Sequence, residues 1–159
     1  MSKSKFELLA VIRLRGSVDQ PAGILHALDL LNLNRPNHAC VIPNDGTHNG
    51  MLQKLKDVVT WGEIDKKTLT ELIKKRGRIQ GNKKITAKFL KEHKFETVNE
   101  FIGAVFEGKA DMRRIDGVKP LFRLHPPRKG FKSVKTPVTK GGDLGYRGVE
   151  INALLERMM

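Results

Sequence analysis

Between Lys74 and Lys94 nine basic side chains, Lys74, Lys75, Arg76, Arg78, Lys83, Lys84, Lys88, Lys91 and Lys94, meet one acid, Glu92. Like charges at neighbouring helical positions repel by roughly 0.2–0.5 kcal/mol per pair, so a solvated face normally mixes signs. This run calls for counter-charge from another molecule. A second group follows in Arg123, His125, Arg128, Lys129, Lys132, Lys135, Lys140 and Arg147, with Asp143 the one acid among residues 123–147. Arginine forks and lysine point charges neutralise phosphates, and the glycine-rich turn Gly141–Gly148 can follow a phosphate backbone with its N–H groups. That turn matches neither a Walker A loop nor GxGxxG, so a nucleotide site is not expected there. Arg13, Arg15 and Arg35, at strand and loop ends of the first third, are expected to add contacts. Tyr146 and Phe131 lie inside the basic tail, where each could stack on a base.

Other chemistry is sparse. His26, His38, His48, His93 and His125 show no pair at metal-ligand spacing, and one cysteine cannot build a structural zinc site. No metal, cofactor or catalytic residue is expected, and His48 beside Thr47 and Asp45 reads as an ordinary loop histidine. Cys40, inside Ala39-Cys40-Val41-Ile42, reads as inert packing. A single cysteine also forbids an internal disulfide, which suits a reducing, cytosolic setting. Phe6-Glu7-Leu8-Leu9 begins directly after Met1-Ser2-Lys3-Ser4-Lys5 with no signal-peptide pattern, so the protein is expected to stay inside the cell that makes it.

The formal charge of +13 is unevenly placed: residues 1–64 hold 7 basic and 6 acidic residues, residues 65–159 hold 23 and 11. Charge concentrated in one portion is the footprint of a nucleic-acid binder. An anionic membrane would attract it too, but no apolar run approaches the roughly 20 residues that span a bilayer, and Gly and Pro break the basic stretches. At 159 residues and 39% hydrophobic content, one moderate core with an extension is expected.

The elements that must position these groups follow from periodicity. Phe6–Leu14 reads as a central strand whose far end exposes Arg13 and Arg15. Pro21 precedes a helix carrying Ile24, Leu25, Leu28 and Leu31; His38–Ile42 is a second strand ending at Pro43; Asn44–Gly50 is a loop. Met51, Leu52, Leu55, Val58 and Val59 mark a second helix, and Thr60–Ile64 a third strand. This βαβαβ order predicts a small α+β sandwich with both helices on one face of a sheet. Asp65 is placed to cap a helix over residues 66–75, Thr86 one bearing Phe89 and Leu90, and Thr97 one burying Phe101, Ile102, Val105 and Phe106. Over the first two thirds of the run from Leu124 to Met159, prolines and glycines accompany the charge. That segment is expected to build no core, to run over a surface, and to complete its folding on a polyanion.

The stretch Phe122-Arg123-Leu124-His125-Pro126-Pro127-Arg128, then Lys135, then Gly141-Gly142-Asp143-Leu144-Gly145-Tyr146-Arg147-Gly148, closing on Ile151, Leu154 and Arg157-Met158, resembles the tail of the large-subunit ribosomal protein L-thirty family, in its long archaeal and eukaryotic type. Ala27-Leu28-x-x-Leu31-Asn32-Leu33-x-Arg35 and Gly50-Met51-Leu52-x-Lys54-Leu55-x-x-Val58-Val59 resemble that family's short core. Lys74 to Met112 carries no motif specific to the family, so contacts there rest on charge alone.

The resemblance implies a ferredoxin-like core (1–64), a helical basic extension (65–117) and an extended basic tail ending in a short helix (118–159). It implies a structural, non-enzymatic constituent of the large ribosomal subunit, located in the cytoplasmic ribosome. The implied partners are large-subunit ribosomal RNA, with the small RNA of that subunit a nearby candidate, and neighbouring ribosomal proteins; no membrane or small-molecule substrate is implied. Two rivals remain: an RNA-modifying or nucleotide-binding enzyme using the charge for substrate capture, and a ferredoxin-like ligand-sensing domain.

Overall fold

The computed structural model describes residues 7–159. Phe6, expected to open the first strand, lies outside them. The chain begins β1 (Leu8–Arg13), α1 (Ala22–Leu30), β2 (His38–Pro43), α2 (Gly46–Leu55), β3 (Val59–Glu63). β1 is central and antiparallel to both neighbours, Val11 lying opposite Cys40 on one side and Trp61 on the other. All six residues of β1 are buried, because its alternation feeds two cores. Leu9 and Val11 pack with Leu28 of α1, with Leu31 just beyond its end, and with Leu52 and Leu55 of α2. Leu8, Ala10 and Ile12 face the opposite layer.

The sequence places a loop at 44–50, but the structure starts α2 at Gly46. Asp45 accepts the His48 N–H at 2.7 Å, and this cap, with the burial of Leu52 and Leu55, outweighs the poor helix propensity of Gly46 and Gly50.

The remainder of the chain supplies the second layer, α3 (Lys66–Arg76), the β4–β5 hairpin (Arg78–Ile79, Lys83–Lys84), α4 (Ala87–Glu92), α5 (Val98–Phe106) and α6 (Ile151–Met158), and adds two short strands to the sheet, β6 (Phe122–Arg123) and β7 (Gly145–Tyr146). Thr86 and Thr97 cap α4 and α5, accepting the N–H groups of Phe89 and Glu100. Asp65 stands at the N-cap of α3, yet its side chain accepts no helix N–H; its own N–H donates to Asn152 Oδ1 at 2.9 Å, tying α3 to α6.

The expectation that the first two thirds of the run from Leu124 to Met159 build no core is overturned at Leu124 and Leu144, and the helix that ends the run adds to the same layer. Leu124, Leu144, Ile151, Leu154, Leu155 and Met158 are buried with Phe101 and Phe122 against the face of β1 that α1 and α2 leave open. Its glycine and proline turns carry a few apolar residues to the sheet, and α6 repeats them at helical spacing. β6 pairs antiparallel with β2, and β7 parallel with β3, giving the order β6-β2-β1-β3-β7. Both edges of the three-stranded centre are thereby covered. Phe131 is half-buried, part of its ring packing against this layer.

One position shows how closely the tail fits. A Cβ on Gly62 of β3 would lie 1.9 Å from the Gly148 carbonyl oxygen, a backbone atom that cannot swing aside. Gly62→Ala is therefore expected to destabilise the fold by about 3 kcal/mol, seen as a lower urea midpoint at unchanged slope. Among the described residues, no helix is long and apolar enough to cross a membrane.

Candidate nucleic-acid interface

Topology gathers the cations. β1 ends at Arg13, while β2 begins at His38 and β3 at Val59, so the loops carrying Arg15 and Arg35 lie at one end of the sheet. β6 runs against β2 and leaves the sheet at Arg123, opposite His38, at that same end. α3 follows β3, and α6 follows β7, which is parallel to β3; both helices run back toward it.

Their last residues meet there. Arg76 Nη2 donates to the Met159 backbone oxygen at 2.7 Å, the His125 N–H to Met158 O at 3.0 Å, and the Arg128 N–H to Arg157 O at 3.0 Å. Arg157 Nε returns to Arg128 O at 3.0 Å, and its Nη2 reaches Gly130 O. The C-terminal end of α6 thus fastens the α3 cations and the tail cations into one body, with a turn at Lys129 and Gly130 held at φ 66° and 71°. A lysine rarely adopts that backbone conformation unless its surroundings impose it.

A second node fixes the next loop. Asp143, 7% exposed, accepts the Lys132 N–H at 2.5 Å and the Ser133 N–H at 3.1 Å through Oδ2, and Arg147 Nη2 at 3.0 Å through Oδ1. Arg147 Nη2 also reaches Asp143 O, and its Nε donates to Thr60 Oγ1 at 2.9 Å; Thr60 donates on to Gly145 O at 2.8 Å. Val134 shares a hollow with Leu14 and Arg15, and Pro137–Thr139 another with Lys56 and Asp57, so the loop wraps the cationic end of the sheet. The tail's turns are held by bonds within the chain.

Lys74, Lys75, Lys83, Lys84, Lys88, Arg35, Arg123, His125, Arg128, Lys129, Lys132, Lys135 and Lys140 are exposed. Lys75 pairs loosely with Glu71 at 3.5 Å. Arg15, Arg76 and Arg78 are half-buried and donate to backbone oxygens of Asp57, Met159 and Gly77 respectively. Tyr146 is 53% exposed and donates to Glu63 Oε1 at 2.5 Å.

Two expected contacts are corrected. Arg13 is 2% exposed, and its guanidinium donates to Arg15 O, Leu33 O and Ser17 Oγ at 2.7–2.8 Å. It stitches the loop after β1 to the end of α1, and burial pushes its pKa below the ordinary value despite Asp29. Arg147, with its side chain 8% exposed, is committed to Asp143 and Thr60. Both shape the surface from beneath it.

His38 sits among Arg123, Arg35 and Arg13; burial first, then these charges, hold its pKa below the ordinary histidine value. His48, expected in a loop, lies in the first turn of α2. Among the described residues, no group of three or more His, Cys, Asp or Glu is placed to hold a metal ion.

Sequence reasoning passed over Arg157 as a fastener and Asp143 as a loop organiser, since the carbonyls and N–H groups they serve carry no mark in the sequence. Asp143 and Arg147 at i, i+4 were the one visible hint.

Cys40 is fully buried, and burial pushes its thiol up to about 12, against a lowering by nearby Arg113. Its folded pKa lies above the unfolded value, so its stability contribution is complete below the unfolded pKa and is lost as pH rises toward the folded one. Tyr146 is raised to about 12 as well, chiefly by its hydrogen bond to Glu63, and acts with the same sign. Stability is expected to hold to about pH 9 and to fall between there and about pH 12. Thermal unfolding across that range, with thiol labelling of Cys40 appearing only as the protein unfolds, checks this.

Residues 9–59 match the family model described as ribosomal protein L30p/L7e. Over nearly its whole length the chain is similar to three archaeal proteins, each named large ribosomal subunit protein uL30. That of Methanobrevibacter smithii is 44% identical over 153 residues, covering 96% of this chain and 100% of the relative. That of Archaeoglobus fulgidus is 47% identical, covering 95% and 99%. That of Nanoarchaeum equitans is 47% identical, covering 94% and 97%.

Proposed function

The chain belongs to the ribosomal protein L30p/L7e family, and on that premise we propose that it is a structural constituent of the large ribosomal subunit in the cytoplasm, binding ribosomal RNA through phosphate and shape contacts. The carrying observation is full-length identity of 44–47% to large-subunit proteins. The gathering of exposed cations at one end of the fold supports it.

In this reading residues 1–64 form the centre of the scaffold and contribute Arg15 and Arg35, while residues 65–117 and 118–159 complete the scaffold and supply most of the cationic surface. Arg35, Arg123, His125, Arg128, Lys129, Lys132, Lys135 and Lys140 meet phosphates on one side of the α6 end, and Lys74, Lys75, Lys83, Lys84 and Lys88 on the other; Arg15, Arg76 and Arg78 support them. Hydrogen bonds within the chain fix the turns that carry Arg128, Lys129 and Lys132, which lowers the ordering cost of binding. The RNA partner is large-subunit RNA, with the small RNA of that subunit and adjacent ribosomal proteins as neighbours.

Binding of the purified chain to large-subunit RNA, titrated across salt, tests this. Each phosphate neutralised contributes about −0.7 to −0.9 to the slope of log affinity against log salt. A steep negative slope is the expected result, and a flat one contradicts the proposal.

A further inference from the structure

We propose that the flank beside β3 and β7 holds a site for one unpaired, amine-bearing nucleobase of an RNA strand, guanine fitting best, stacked on Tyr146. The inference rests on the RNA-binding reading above and names a ligand within it. Tyr146 is the chain's one tyrosine, and it stands more than half exposed although it lies in a paired strand. Its ring is not free to turn: the hydroxyl is held on Glu63 Oε1 at 2.5 Å, and Trp61 lies against it with ring centroids 6.3 Å apart at 48°. A fixed, exposed aromatic face is what a base needs for stacking.

Two adjoining hollows of about 390 and 290 Å³ share Gln53, Trp61 and Tyr146, so the ring borders space on more than one side. Their lining sorts charge along the site. Lys56 and Asp57 border the larger hollow, and Lys140 closes the 3₁₀ turn whose Val138 and Thr139 also line it, so that side is net positive; Glu63 borders the smaller. Two lysines outweigh Asp57 on the larger side while Glu63 repels phosphate on the other, so a strand entering here keeps its backbone near Lys56 and Lys140 and turns a base edge toward Glu63. Guanine offers that carboxylate two donors on one edge, N1–H and the 2-amino group. Uracil offers one N–H flanked by two carbonyl oxygens. The phenol stays protonated and uncharged through neutral pH, which keeps the face compatible with a neutral base.

The test uses the full chain and its single tryptophan, Trp61, as reporter. The probes are a short single-stranded oligouridine, the same oligomer with one central guanosine, that oligomer annealed to its complement, and guanosine monophosphate. The guanosine oligomer is expected to quench Trp61 and to bind more tightly than oligouridine and the duplex. Tyr146→Ala should weaken it about 5- to 100-fold, while Tyr146→Phe keeps the stacking and Glu63→Gln erases the preference for guanosine over uridine. Should Tyr146→Ala melt earlier than the parent, Gln53→Ala on the exposed side of α2 supplies the same comparison. Equal binding of both single strands, or loss in none of the variants, overturns the site while salt-dependent RNA binding leaves the ribosomal reading standing. Guanosine monophosphate binding as tightly as the oligomer overturns it in favour of a free nucleotide, and absence of salt-dependent binding to any RNA overturns both readings.

Discussion

Asp143→Ala is expected to cost about 3–5 kcal/mol of stability, because it leaves the guanidinium of Arg147 buried without its counter-charge. The two side chains are 7% and 8% exposed and 3.0 Å apart, and the same carboxylate holds the N–H groups of Lys132 and Ser133. For a chain of this length that loss lowers Tm by roughly 6–20 °C. Arg147→Ala should cost a similar amount, and the double variant less than the sum, since removing both charges leaves neither one stranded. RNA affinity should fall with Asp143→Ala even though the carboxylate faces inward, because Lys132 and Lys135 lose the fixed loop that presents them. A stability loss under 1 kcal/mol by denaturant titration would show that the pair is not the anchor.

The contrast between that pair and the exposed cations also marks what could be read from the sequence. The βαβαβ order was legible because β1, β2 and β3 each carry a run of buried apolar residues, and α1 and α2 repeat leucines at helical spacing; those are local signals. Arg13 was misread because a basic residue at a strand end ordinarily reaches water. Its partners, Leu33 O and Ser17 Oγ, become neighbours only when the loop after β1 folds back over α1. The same limit applies to the tail. Phe122 sits in a two-residue strand opposite Ala39, Leu124 is tied by its N–H to Asn37 O, and Leu144 makes a single bridge to Pro137; amid Gly and Pro such pieces are too short to show any period, and the partners of the first two lie far back in the chain. The cations themselves were legible by count; their meeting at the end of α6 depends on backbone oxygens of Met158 and Met159, to which composition is blind.

The second large effect concerns salt. Changing Arg128, Lys129, Lys132 and Lys135 together to glutamine is expected to flatten the slope of log affinity against log salt by about 3–4, close to one per phosphate released. All four side chains are exposed, so stability should stay within about 0.5 kcal/mol of the parent. Arg147→Ala and Arg13→Ala should do the reverse, lowering stability while leaving the slope nearly unchanged. If the quadruple variant keeps the parent's slope, the tail is not in the interface and the α3 and β4–β5 cations carry the contact alone.

A folded scaffold with cations gathered at one end of its sheet is held in the large subunit through RNA on this proposal. The most direct measurement is sedimentation of a tagged copy expressed in cells. It should travel with intact large subunits in a sucrose gradient and return to the top of the gradient once nuclease has cut the RNA. A tagged protein that stays at the top from the start, or remains with a particle after the RNA is gone, would contradict the account.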